Sequence, residues 1–152
     1  YQLGEVLRAA RRLKEQDVPH LVVYWLEPGR LFQDTQGTGY GVSDEAFQSF
    51  FPSDLEAWLF CTHIRPHLLW GLLGPLAGTR TIGVLGYRNE GGTLDVPGML
   101  MVNQCTWAHC LLEAARLLDM SAAELLTEEE LEALSGVRNP HGTIIPFPYQ
   151  EA

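Results

Sequence analysis

AWLFCTHIRPHLLWGLLGPLAGTRTIGVLGY, residues 57 to 87, decides the fold. Two apolar, β-prone runs, 57–62 and 81–87, flank a segment over 65–77 whose Pro66 suits the first turn of a helix. Strand, helix and strand in that order predict parallel pairing, because a crossover helix returns the chain to the same end of the sheet. On the N-terminal side, residues 3–16 place Val6, Leu7, Ala10 and Leu13 on one helical face, with Arg8, Arg11, Arg12 and Glu15 outside. After Pro19, HLVVYWL (20–26) is an unbroken apolar run and predicts a strand buried on both faces. Residues 27–41 read as a loop. SDEAFQSFF (43–51) reads as a helix with Ser43 as N-cap and two acids, Asp44 and Glu45, in the turn that the helix dipole favours for them.

On the C-terminal side, Met101, Cys105, Ala108, Leu112 and Ala115 recur at spacings of four and three, which predicts one helix from Gly98 to Leu118. Asn103, Thr106, His109, Glu113 and Arg116 fall on its opposite, polar side, with His109 and Glu113 as a surface pair. Two capping boxes follow, Ser121 with Glu124 and Thr127 with Glu130, and predict two short helices ending at Gly136. Residues 137–152 read as a Pro-punctuated irregular tail, in which 143–147 could be an edge strand. The alternation of helices and strands predicts a single α/β domain over 1–152, a parallel sheet with helices on both faces.

Composition narrows the function. The 152 residues carry 46% hydrophobic and 19% charged side chains, enough apolar surface for one proper core. Net charge is -9, and the basic residues, Lys14 and nine arginines, are scattered along the chain. No cluster is available to neutralise phosphates, which argues against nucleic acid and anionic membranes as partners. No run reaches the length of a membrane span, and no signal-peptide pattern opens the chain, so a cytoplasmic location is expected. The chain begins at Tyr1 rather than Met, and reads as either a fragment of a larger protein or a trimmed chain. Cys61, Cys105 and Cys110 sit in apolar runs and read as buried free thiols. Cys105 and His109 have helical spacing but lack the further ligands a metal requires, so no metal site is expected.

In a parallel sheet, ligands bind outside the carboxyl ends of the strands. Three segments occupy that edge: 27–41, THIRPH (62–67) and GYRNEGGTLDVPGMLMVNQ (86–104). The last is glycine-rich, but Arg88 stands two residues after Gly86 where a dinucleotide fingerprint needs glycine, and no P-loop pattern is present. Its glycines read as a sharp turn that lets the chain approach its neighbours. His63, Arg65 and His67 read as an edge cluster of two imidazoles and a guanidinium that could bind an anion or shuttle protons, or that simply caps strand ends and fills an interface. No Ser or Cys stands beside a His and an acid, and there is no G-x-S-x-G elbow, so no catalytic residue is assigned.

The order of four motifs resembles the C-terminal domain of phosphoketolases. GVSDEAFQSFF (41–51) is similar to the family's G-L-S-D-x-x-F-x-x-L-F. WLFCTHIRP (58–66) is similar to its apolar strand running into H-G-Y-P, with His63 and Pro66 matching. GYRNEG (86–91) is similar to G-Y-x-E-E-G, and Asn103 and His109 fall where the family has N-D-L-D-R-F-H. The likeness spans residues 3 to 118. The departures are the loss of the glycine and tyrosine of H-G-Y-P at Ile64 and Arg65, Asn89 in place of an acid, and Thr106-Trp107 in place of Asp-Arg. GTLDVPGML (92–100) also lacks the family's threonine run and aspartate and slips by a residue.

The resemblance implies a transketolase C-terminal-like, three-layer α/β/α fold with a mostly parallel, mixed sheet of about five strands. It implies a thiamine-diphosphate- and Mg2+-dependent parent enzyme, a lyase that converts xylulose 5-phosphate or fructose 6-phosphate and phosphate to acetyl phosphate. The cofactor and sugar are held there by the two preceding domains, and this domain binds no cofactor, serving interdomain and dimer assembly. On this view the contact residues are His63, Arg65, Tyr87, Arg88 and Glu90, with the N-terminal and middle domains of the same enzyme and a second subunit as partners. The alternative is a free-standing regulatory or binding module that takes a small anion at the same edge, between His63, Arg65, His67 and Arg88.

Overall fold

The fold was analysed in a computed structural model, which describes residues 1–27, 30, 37–78, 80–88 and 94–135, with backbone alone at 75–77. The expected edge strand in the tail and the contact residue Glu90 lie outside the described residues. Among the described residues, six α-helices, α1 (Gln2–Glu15), α2 (Asp44–Phe50), α3 (Pro66–Ala77), α4 (Val96–Val102), α5 (Trp107–Leu117) and α6 (Glu128–Leu134), accompany two strands, β1 (Ala57–Thr62) and β2 (Thr81–Gly86).

The strands pair in parallel, in register from Ala57 opposite Thr81 to Thr62 opposite Gly86, with α3 as the crossover. Pro66 occupies the start of α3, where its missing N–H costs nothing. The described residues thus form a small two-stranded parallel sheet among helices, short of the five strands expected.

Alternation along the strands separates two cores. On one face, Trp58 and Phe60 of β1 and Ile82 and Val84 of β2 meet Phe47 and Phe51 from the α2 segment and Leu69 and Leu73 of α3. Phe51 is the hub of this aromatic cluster, with ring centroids 4.9 Å from Phe47 and 4.8 Å from Trp58. On the other face, Leu59, Cys61 and Leu85 pack against α1, α5 and the buried pair Leu125 and Leu126. Both capping boxes form: Ser121 and Glu124 start a single 3-10 turn (Ala122–Glu124), and Thr127 and Glu130 start α6.

Three expectations are corrected. Residues 20–26 join no strand: Leu21, Tyr24 and Leu26 are 56%, 66% and 77% exposed. Trp25 is anchored there against Phe50 and Phe51, with centroids 5.3 and 5.9 Å away. An apolar run becomes a buried strand only where a neighbour offers ladder bonds, and here none of the described residues does.

The face of α1 is also rotated from the expected one. Gln2, Glu5 and Ala9 are buried, Val6 and Leu13 pack at the margin, and Leu7 is exposed. Polar bonds decide this orientation: Gln2 Nε2 donates to the Thr62 carbonyl at 2.8 Å, and Glu5 Oε2 accepts from the Trp107 N–H at 2.8 Å. The Glu5 carboxylate thereby meets the N-terminus of α5, where the helix dipole favours an anion. From the same helix Arg12 reaches both carboxylate oxygens of Glu130 in α6 at 2.9 and 3.2 Å.

Finally, the helix expected over 98–118 is two helices. Gln104 adopts a left-handed conformation with φ of 57°, and Thr106 starts α5 afresh as N-cap. Asn103, Thr106 and His109, expected on a polar outer face, are buried at that junction. Glu113 pairs with Arg116 rather than His109.

Candidate functional site: the carboxyl edge of the sheet

The carboxyl ends of β1 and β2 lie side by side because Thr62 and Gly86 are register partners. The β1–α3 turn, residues 63–65, folds directly over β2. A Cβ on Gly86 would collide with the Ile64 carbonyl and lie 2.9 Å from Thr62 Cγ2 and 3.1 Å from Pro66 Cδ. Close approach of two backbones therefore requires glycine at position 86.

Four further bonds hold this edge. The Thr62 carbonyl accepts from Gln2, and the Ile64 N–H donates to Thr62 Oγ1 at 3.3 Å. Asn103, 1% exposed, uses both ends of its amide: Oδ1 accepts from the Arg88 N–H at 2.8 Å, and Nδ2 donates to the Met99 carbonyl at 2.8 Å. One side chain thus ties the exit of β2 to the C-terminal end of α4.

Of the expected contact residues, the structure places His63 and Arg65 after β1, and Tyr87 and Arg88 after β2, all at this edge. His67 follows in the first turn of α3. His63, Arg65, His67 and Arg88 are exposed, and Tyr87 is half-buried. Among the described residues, the side chains of His63, Arg65 and His67 make no hydrogen bond or ion pair with one another or with the body of the protein. Topology brings the set to one edge without assembling it into a hydrogen-bonded constellation. Among the described residues, no group of three or more His, Cys, Asp or Glu side chains is placed to hold a metal ion. No helix among them is long and apolar enough to cross a membrane.

Behind the edge lies a buried polar group that periodicity assigned to the surface. Thr106 Oγ1 stands 2.8 Å from His109 Nδ1 and also accepts from the His109 N–H at 3.4 Å. Burial, helped by the nearby Arg88 guanidinium, pulls the His109 pKa down to about 4, so the ring is neutral at physiological pH. Thr106 one turn before His109 is the N-cap signature that marks a helix start.

Next to it, the Sγ atoms of Cys61 and Cys110 stand 3.7 Å apart, and Cys105 donates to the Asn103 carbonyl at 3.3 Å. All three thiols are free. Nothing in their sequence spacing brings Cys61 to Cys110; that contact is made by packing α5 on β1.

Compared with protein-family models, with curated proteins and with solved structures, the chain finds no match in any of the three.

Proposed function

We propose that this chain is the C-terminal domain of a phosphoketolase-type, thiamine-diphosphate-dependent enzyme, carries no catalytic residue of its own, and serves interdomain and dimer assembly. The parent would cleave xylulose 5-phosphate or fructose 6-phosphate with inorganic phosphate to give acetyl phosphate. Thiamine diphosphate and Mg2+ would be held by the preceding domains, in the cytoplasm. In the assembled enzyme the two strands would be the core of a mixed, three-layer sheet of about five strands, with the exposed 20–26 segment as the nearest candidate for a further strand.

One observation carries the reading. The backbone at the carboxyl edge is fixed from behind by Gly86, Gln2 and Asn103, while His63, Arg65 and Arg88 project from it exposed. A firmly held edge displaying the guanidinium groups of Arg65 and Arg88 in a chain of net charge -9 is suited to meet an acidic surface. The apolar side chains of Leu21, Tyr24 and Leu26 supply the exposed hydrophobic area that an interface also needs.

The test compares acetyl phosphate formation by the full-length parent, the parent truncated before Tyr1, and the 152-residue chain alone. The full-length protein is expected to be active, the truncated one to lose dimer stability, and the chain alone to bind no thiamine diphosphate. Cofactor binding or acetyl phosphate formation by the chain alone would overturn the proposal. Thermal stabilisation of the chain by phosphate, sugar phosphates or nucleotides would instead favour the anion-binding module, since a ligand stabilises the state it binds.

A further inference from the structure

We infer that Cys61 and Cys110 are a redox modification site, a dithiol that hydrogen peroxide converts to a disulfide joining β1 to α5. The inference is independent of the assembly role, since it rests only on how the sheet packs against α5. The two Sγ atoms stand 3.7 Å apart with no atom of another residue needed to bring them together. An S–S bond is about 2.05 Å long, so closure requires roughly 1.7 Å of approach, within reach of side-chain rotation on two adjoining elements.

The pair is asymmetric in two ways that agree. Cys61 is half-buried at the sheet margin, whereas Cys110 is buried in the first turns of α5. The two thiols share a hydrogen bond, in which either sulfur can donate; it lowers the Cys61 pKa, and with burial it pushes Cys110 well up. Cys61 is thus the nucleophile and Cys110 the resolving thiol. The third thiol is held apart: Cys105 is buried, burial pushes its pKa up to about 11, and its hydrogen is engaged by the Asn103 carbonyl.

The chemistry balances in two steps. The Cys61 thiolate attacks one oxygen of hydrogen peroxide, the O–O bond breaks, and Cys61 sulfenic acid and hydroxide result. Cys110 sulfur then attacks the sulfenic sulfur, the S–O bond breaks, and the oxygen leaves as water with the thiol proton. The dithiol loses two electrons and the peroxide gains them. A thiol reductant reverses the change.

The experiment treats the native 152-residue chain with hydrogen peroxide, blocks remaining thiols with N-ethylmaleimide, and maps the digest by mass spectrometry. Free thiols should fall from three to one, with a 61–110 linked peptide that dithiothreitol releases and Cys105 carrying the maleimide. In Cys110→Ser, dimedone should trap the sulfenic acid at Cys61; in Cys61→Ser, Cys110 should resist peroxide. A linkage through Cys105, or three thiols still free after treatment, would overturn the inference. If either variant fails to fold, the map of the unsubstituted chain still decides the pairing.

Discussion

Replacing Gly86 by Ala adds one methyl group at the point where two backbones come closest. The new Cβ would strike the Ile64 carbonyl and crowd Thr62 Cγ2 and Pro66 Cδ. None of these is the free end of a flexible side chain. Pro66 fixes the entry into α3, and Thr62 is held through its carbonyl by Gln2, so the turn has little room to retreat. Overpacking of a well-filled site costs about 1–3 kcal/mol, and a backbone obstacle puts Gly86→Ala at the upper end, about 3 kcal/mol. With a urea m-value of about 2 kcal/mol/M, the denaturation midpoint of the chain should fall by about 1.5 M at unchanged slope.

Two other glycines give the internal scale. At Gly83 an added Cβ would meet Glu113 Oε1 at 2.6 Å and Leu117 Cδ1 at 2.9 Å, both side-chain ends. Glu113 can swing away at the expense of an exposed pair with Arg116, so the loss should stay near 1 kcal/mol. Gly71 lies exposed in α3 with nothing within 4 Å of its Cβ position, and Gly71→Ala should gain about 0.5–1 kcal/mol from helix propensity. The same substitution therefore has three outcomes set only by surroundings. A Gly86→Ala midpoint no lower than that of Gly83→Ala would refute the close-packed turn.

Four further outcomes are expected. Glu5→Ala leaves the buried Trp107 N–H without its carboxylate and should cost about 2–3 kcal/mol, whereas Glu5→Gln keeps an acceptor and should cost about half as much; loss of hydrogen-exchange protection at the Trp107 amide checks the cause. Because the His109 pKa is lowered to about 4 from 6.5, the unfolded chain takes up a proton that the folded one refuses. Stability from this group is complete above pH 6.5 and falls as pH drops towards 4, by about 3 kcal/mol in all, and His109→Gln should flatten that slope in pH-dependent urea titrations. Arg12→Lys cannot reproduce the two-pronged bond to Glu130 and should lose about 1 kcal/mol in the same assay, with α6 exchanging its amides faster. In the full-length parent, Arg65→Glu with Arg88→Glu should weaken dimerisation measured by sedimentation while leaving the melting of the 152-residue chain within a degree or two; an unchanged dimer would count against the assembly role.

The strand–helix–strand unit was readable because its signals are local. Two β-prone runs, Pro66 at a helix start and a glycine exit need no partner to be recognised, and the side-by-side placement of Thr62 and Gly86 follows from them. The capping boxes at Ser121 and Thr127 were readable for the same reason. Residues 20–26 misled because apolar β-prone chain is a necessary and not a sufficient condition for a strand. The missing condition, an available edge with matching register, is tertiary. The rotated face of α1 has the same origin. Glu5 and Gln2 are buried by bonds to groups 102 and 60 residues away, which hydrophobic periodicity does not register.

The candidate edge shows the division most clearly, and its cause can be traced to one residue. A continuous helix over 98–118 would satisfy every backbone group within itself and leave the Arg88 N–H, at the exit of β2, to find another acceptor. Breaking the helix at Gln104 lets Asn103 turn inward, where its amide accepts from Arg88 and donates to the Met99 carbonyl. Thr106 then supplies the acceptor that the restarted helix lacks and the partner that buried His109 requires. The restart also aims α5 across the sheet, bringing Cys110 against Cys61 and the Trp107 N–H against Glu5. Of the three polar residues that periodicity places outside, Asn103 is inside bonding the exit of β2, and Thr106 and His109 are inside bonding each other at the restart of α5. The exposed arginines of the edge, Arg65 and Arg88, leave the backbone that this buried polar frame holds from behind.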